Sequence, residues 1–183
     1  IASNTLSLYP ATGAGGFMPA VSLGGPSSTL NQPNAVALLD RDADGLVDRI
    51  AAANFGGDSL TLFDGGGSNP FVEEPTSPLT ATLSPAALLS GPLDIGSSDD
   101  LEVLSTGNNS LQSFSSMSDG FFFKRRQTPL PEGSGPTAIA LADFDRTGLL
   151  NLALAVADLD GSDGPSTAAG FTIFPASTLG QFG

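Results

Sequence analysis

An all-β fold of repeated four-stranded units is what the sequence predicts, and three observations carry the prediction. Two similar acidic loops recur far apart in the chain. Short apolar runs, several with period-two alternation, follow at matching distances. No segment sustains a helix. The 183 residues include 23 glycines and 14 prolines, enough turn-formers to end a strand every few residues. Ala51-Ala52-Ala53 has helix propensity, but Asn54 and the Gly56-Gly57 pair stop it within a turn or two.

The repeat is read from the loops outward. Asp40 and Asp143 open them, 103 residues apart, and half that spacing places a third copy near residue 92. Pro33, Pro85 and Pro136 then align, each followed by an apolar run such as Ala35-Val36-Ala37-Leu38-Leu39 or Ala138-Ile139-Ala140-Leu141. A second run follows each loop: Ile50-Ala51-Ala52-Ala53, Leu101-Glu102-Val103-Leu104 and Leu152-Ala153-Leu154-Ala155-Val156. A third strand alternates: Ser59-Leu60-Thr61-Leu62-Phe63, Ser110-Leu111-Gln112-Ser113-Phe114 and Gly170-Phe171-Thr172-Ile173-Phe174. Thr5-Leu6-Ser7-Leu8-Tyr9 matches it at the N-terminus. A repeat of about fifty residues with four strands is the mark of a β-propeller blade. The chain reads as one propeller-type domain over 1–183. Residues 1–32 form a partial blade (strands three and four), 33–84 a blade, 85–135 a blade with a degenerate loop, and 136–183 a blade lacking its last strand. That is about three and a half blades, so the ring is incomplete within one chain.

The loops carry the chemistry. In Asp40-Arg41-Asp42-Ala43-Asp44-Gly45-Leu46-Val47-Asp48, carboxylates occupy positions 1, 3, 5 and 9, with Gly at 6. Four negative charges in nine residues repel, and a hard cation preferring oxygen, above all Ca²⁺, relieves them. Alternate side chains point inward and a backbone carbonyl adds a ligand near position 7. A solvated acidic turn is the plainer alternative. Asp143-Phe144-Asp145-Arg146-Thr147-Gly148-Leu149-Leu150-Asn151 repeats the pattern with Thr at 5 and Asn at 9. Each replacement offers an oxygen, but two carboxylates in place of four predict weaker binding. In the middle copy Pro92, Asp94 and Gly96 stand at positions 1, 3 and 5, which keeps a turn without a metal.

Composition excludes much else. Nineteen acids against six bases give a net charge of −13, which argues against nucleic-acid phosphates as partners. No apolar run is long enough to insert in a membrane as a helix. Without Cys or His there is no disulfide, no Cys or His metal site, and no Ser-His-Asp or Cys-His nucleophile system. Glu73, Glu74, Glu102 and Glu132 read as solvated acids rather than a glycosidase pair. Lys124-Arg125-Arg126 reads as a solvated strand edge and Phe121-Phe122-Phe123 as core of a blade. The chain opens on Ile1, which points to processing or a fragment. Low Lys with abundant Ser, Thr, Gly and Pro favours a secreted or cell-surface location.

A strand, a D-x-D-x-D-G-x-x-D loop, an apolar strand and a turn ending in Phe together resemble the FG-GAP/VCBS repeat. That repeat builds the seven-bladed propeller of integrin alpha subunits and occurs in many secreted bacterial proteins. Residues 34–48 match it closely and 137–151 well. The resemblance implies that each loop joins the first two strands of a blade and binds Ca²⁺. The implied ligands are the side chains of Asp40, Asp42, Asp44 and Asp48 with the carbonyl of Leu46. In the last repeat they are Asp143, Asp145, Thr147 and Asn151 with the carbonyl of Leu149. An EF-hand would need an acid where Ala51 stands, and flanking helices. The expected function is a non-enzymatic, calcium-stabilised extracellular propeller, a scaffold for protein or glycan binding and adhesion. The alternatives are a structural subunit of a cell-surface assembly or filament completed by neighbouring chains, and an accessory domain of a secreted hydrolase. An unclosed ring implies a homo-oligomer, or membership of a larger chain or assembly.

Overall fold

The computed structural model describes residues 4–67, 69–81, 83–93, 98–117, 121–130, 135–148, 150–156 and 170–174. Leu149, Glu132, the centre of the middle loop at 94–97 and residues 157–169 lie outside them. The described residues form strands and turns, with no helix.

Four antiparallel sheets follow one another along the chain. The first pairs β1 (Thr5–Leu8) with β2 (Val21–Gly24). The second runs β3 (Pro33–Leu39), β4 (Arg49–Asn54), β5 (Ser59–Gly66), β6 (Asn69–Glu73), and the short β7 (Leu79–Thr80) pairs with the start of β5. The third runs β8 (Pro85–Gly91), β9 (Asp100–Ser105), β10 (Ser110–Ser116), β11 (Phe122–Pro129). The fourth runs β12 (Pro136–Ala142), β13 (Asn151–Val156), β14 (Gly170–Phe174). Within each sheet the order of the main strands follows the chain, so antiparallel neighbours are joined without a crossover.

Side chains alternate between two faces of a strand, and here each face meets a different neighbouring sheet. On β4, Ile50 and Ala52 join Leu23, Leu30 and Phe63 against the first sheet. Ala51 and Ala53 join Leu60 and Leu62 against Leu88, Leu101, Val103 and Phe114 of the third. A further core places Leu104 and Leu111 against Leu152 and Leu154 of the fourth. Burial on both faces explains why the second strands read as largely apolar runs. Each fully buried Leu is worth about 1.5–3 kcal/mol, so these three layers hold the stack together.

Several polar groups between the sheets are paired, although both polar atoms of the buried Gln112 side chain on β10 lack a hydrogen-bond partner among the described residues. Arg49 Nε lies 2.6 Å from Glu74 Oε1, and its guanidinium sits 5.2 Å from the centre of the Phe122 ring on the third sheet. Phe122 packs on the core, whereas Phe121 and Phe123 are exposed. Asn54 Nδ2 donates to Ser59 Oγ and Thr61 Oγ1. β11 is an edge strand of the third sheet. Its Lys124 is exposed, but Arg125 is half-buried and donates to Ser115 Oγ at 3.0 Å.

Candidate metal centre

Residues 40–48 connect β3 to β4. Asp40 anchors the turn: its Oδ1 accepts the Asp44 N–H at 3.2 Å and its Oδ2 the Gly45 N–H at 2.7 Å. Asp44 Oδ1 accepts the Leu46 N–H at 2.8 Å. Ala43 (φ 60°) and Gly45 (φ 86°) take left-handed backbone, natural for Gly and mildly strained for Ala. This winding gathers Asp40, Asp42 and Asp44, each offering an oxygen within 4.8 Å of the others. Two unit charges at that distance repel by about 1 kcal/mol in water and more beside a protein surface. Asp48 stands outside this trio. Its Oδ1 accepts the Arg41 backbone N–H at 2.9 Å and its Oδ2 lies 3.5 Å from Arg41 Nε. Arg41 Nη1 reaches Asp64 Oδ1 at 3.0 Å.

The second loop repeats the backbone. Asp143 Oδ1 accepts the Thr147 N–H at 3.1 Å and Oδ2 the Gly148 N–H at 2.9 Å. Arg146 (φ 60°) and Gly148 (φ 82°) match Ala43 and Gly45. Asn151 Oδ1 accepts the Phe144 N–H at 2.8 Å, as Asp48 accepts that of Arg41. The interior differs. Thr147 Oγ1 donates to Asp145 Oδ1 at 2.7 Å, and Asn151 Nδ2 to Asp145 Oδ2 at 3.4 Å. The Thr147 hydroxyl above all holds the Asp145 carboxyl below its ordinary pKa.

Position nine also sits differently on the two sheets. Leu39 pairs with Arg49 while its carbonyl accepts the Asp48 N–H at 3.1 Å, so Asp48 is an extra residue before the ladder. Ala142 pairs with Asn151 itself. Asp48 is therefore half-buried, whereas Asn151 is buried.

One acid was missed in the sequence and three were misread as solvated. Asp99, just before β9, meets the first loop: its Oδ2 accepts the Asp40 N–H, and its own N–H donates to the Asp40 carbonyl, both at 3.0 Å. Burial chiefly, then the charges of Asp40 and Asp48, raise its pKa. No local pattern announces this, because the third sheet brings it there. Glu102 corrects the expectation of a solvated acid. It is 1% exposed on β9, accepts the Ser113 hydroxyl at 2.7 Å, and is pushed by burial from 4.5 to about 7. Glu73 accepts the Thr29 N–H at 2.9 Å and the Ser28 hydroxyl, and Glu74 pairs with Arg49, so both are tied into the packing.

Comparison with solved structures supports the architecture. A protein from Bacteroides uniformis, described as a candidate 6-phosphogluconolactonase, superposes on 93% of this chain with a TM-score of 0.64 at 17% identity. A protein from Lactobacillus plantarum superposes on 92% with a TM-score of 0.52 at 12% identity. The chain spans about half the length of these neighbours, 47% of each. No protein-family model and no curated protein matches the chain. At such identities the likeness shows the fold alone: all-β, several small antiparallel sheets, propeller-like. It overturns the expected function. The scaffold for adhesion, with its surface-assembly and accessory-domain alternatives, leaned on likeness to adhesion propellers. The propeller-like neighbour with a described activity is named instead for a lactone-hydrolysing enzyme, so that reading is withdrawn.

Proposed function

We propose that the chain is a calcium-binding segment of a β-propeller whose blades are of the FG-GAP/VCBS type. One observation carries the proposal. The second loop makes the same backbone turn with Thr147 and Asn151 where the first has Asp44 and Asp48. The turn therefore does not need those two charges. The first loop nonetheless brings three carboxylates within 4.8 Å, a repulsion that a divalent cation converts into attraction. Asp40, Asp42 and Asp44 would hold the ion, with the Leu46 carbonyl and Asp48 completing the set. Asp143, Asp145, Thr147, Asn151 and the Leu149 carbonyl would form a weaker second site.

The ion's role in this reading is structural: it fixes the β3–β4 turn against Asp99 of the next sheet. The four sheets are then strands three and four of one blade, two full blades, and three strands of another. A secreted or cell-surface location suits such a site. At an affinity of roughly 10⁻⁴ M and millimolar calcium, binding adds about 1.5 kcal/mol per site. Thermal unfolding in calcium and in chelator tests this. Chelation is expected to lower the melting temperature by about 3–6 °C, and Asp42→Ala to remove most of that response. Equal melting in both buffers would sink the calcium site. Turnover of 6-phosphogluconolactone that requires Asp42 would make the ion catalytic and overturn its structural role.

A further inference from the structure

The turns at the two ends of the sheets differ in what they show to solvent. Antiparallel order puts the turn from a first to a second strand and the turn from a third to a fourth at the same end of a sheet. Neighbouring sheets carry that end side by side. The Gly65 N–H donates to the Asp48 carbonyl, the Asp99 N–H to that of Asp40, and Gly91 lies against Leu150. Leu8 and Pro10 of the first hairpin share a hollow with Val47, Gly66 and Gly67. One rim therefore holds the 9–20 hairpin turn, both acidic loops and the turn from β10 to β11.

Exposed large apolar side chains gather on that rim. Phe17 is 73% exposed and Leu46 65%, and Tyr9, Met18, Phe121 and Phe144 are exposed with them. In the turns of the opposite rim, among the described residues, the exposed side chains of this kind are Phe55 and Leu83. The bases follow the same side. Arg41 and Arg146 stand in the acidic loops, Arg49 opens β4, and Lys124 and Arg125 lie in the half of β11 nearest this rim. Arg126 sits mid-strand opposite Ser113, and none of the six bases stands in a turn of the other rim. Two of the exposed bases accompany aromatic tips: Lys124 is three residues from Phe121, and Arg146 is two from Phe144.

We infer that this rim is a peripheral membrane-docking surface, which sets Phe17, Met18, Leu46, Phe121 and Phe144 into the headgroup layer of an anionic lipid surface when calcium occupies the acidic loops. Exposed apolar groups concentrated on one side of a molecule mark an interaction surface. The charges between them select the partner. Asp42, Asp44, Asp143 and Asp145 stand exposed among the tips. A protein fitted over the tips would take those carboxylates out of water, which is costly. A fluid lipid surface accepts each tip where it stands and leaves the acids among the headgroups, where aromatic rings and bases are both favoured. Bare, the acids repel anionic lipid. With calcium in the loops the same rim attracts it, and lipid phosphate oxygens are hard ligands of the kind calcium takes. The inference rests on the calcium reading above and adds the partner to it.

Flotation with phosphatidylcholine vesicles, with and without phosphatidylserine, tests it in calcium and in chelator. The chain is expected to float with the phosphatidylserine vesicles in calcium, and to stay behind in chelator or with phosphatidylcholine alone. Phe17→Ser and Phe144→Ser change exposed positions, so circular dichroism and the calcium response of melting should hold. Each is expected to weaken vesicle partitioning by about tenfold. Phe55→Ser on the opposite rim should leave it unchanged. Phe121→Ser replaces Phe144→Ser should that variant not fold. Flotation that survives both rim substitutions, that falls equally with Phe55→Ser, or that is as strong in chelator overturns the inference. So does an absence of flotation, and melting then locates the failure. A chain that stays in solution while its melting responds to calcium keeps the metal site and loses the docking surface. A chain whose melting ignores calcium loses the metal site first. Rim variants that break a self-association seen by light scattering, without any flotation, would give the rim to a second copy instead.

Discussion

The loops at 40–48 and 143–151 share a backbone and differ in how they satisfy it. Each opens with an aspartate whose two oxygens accept the N–H groups of positions five and six. Each has left-handed residues at positions four and six. Inside the second loop, a hydroxyl and an amide donate to Asp145, so the turn is closed by its own hydrogen bonds. Inside the first, acceptors face acceptors, and among the described residues the cation paired with an acid of the loop is Arg41, which reaches Asp48 and Asp64 rather than the trio. The comparison separates two jobs that a single loop would confound. Position one and the glycine make the turn; positions three, five and nine decide whether it is self-sufficient or asks for a positive charge.

The largest effect on any pH comparison of the loops comes from outside them. Glu102 has its pKa raised to about 7, so between about pH 4.5 and 7 the folded chain binds its proton more tightly than the unfolded chain does. Stability from this group is therefore greatest at low pH and falls as pH rises through that window. Glu102→Gln is expected to gain roughly 3 kcal/mol at pH 8 and to remove the slope in denaturant unfolding between pH 5 and 8. An unchanged slope would mean that another group drives it. In that background, Asn151→Asp brings the second loop toward the first. It removes the amide donor to Asp145 and buries a carboxylate at a position that is 2% exposed. The expected cost is about 1–3 kcal/mol in chelator, partly recovered in calcium. A cost that calcium does not reduce would break the proposed equivalence of the loops. The smallest effect is Thr147→Val, which removes the hydroxyl bond that lowers the Asp145 pKa. A lowered carboxylate stabilises above its unfolded pKa and loses that contribution as pH falls through the folded value. By carbon-detected NMR titration Asp145 should move back toward the ordinary carboxylate range, with little change in melting. No movement would assign the shift elsewhere.

Much of the fold was legible because strands are local. Leu60 and Leu62 alternate with Ser59 and Thr61, and that alone places the two leucines on one face of β5. The second strands were legible as apolar runs, although one-dimensional spacing missed the residue by which Asp48 precedes the β3–β4 ladder. Asp99 was invisible beside Asp40, because 59 residues separate them in the chain. Glu102 looked like any acid, although Leu101, Val103 and Leu104 flank it, until packing buried it.

Acidic spacing at every second position, glycine at the sixth and period-two hydrophobicity are properties of adjacent residues, so the amino-acid order alone set the class of fold and the places where carboxylates crowd. Which carboxylates lose their water, which face of a sheet stays bare and which residue 59 positions away completes a loop depend on burial. Burial is decided by how sheets stack, and so only the tertiary structure could settle it.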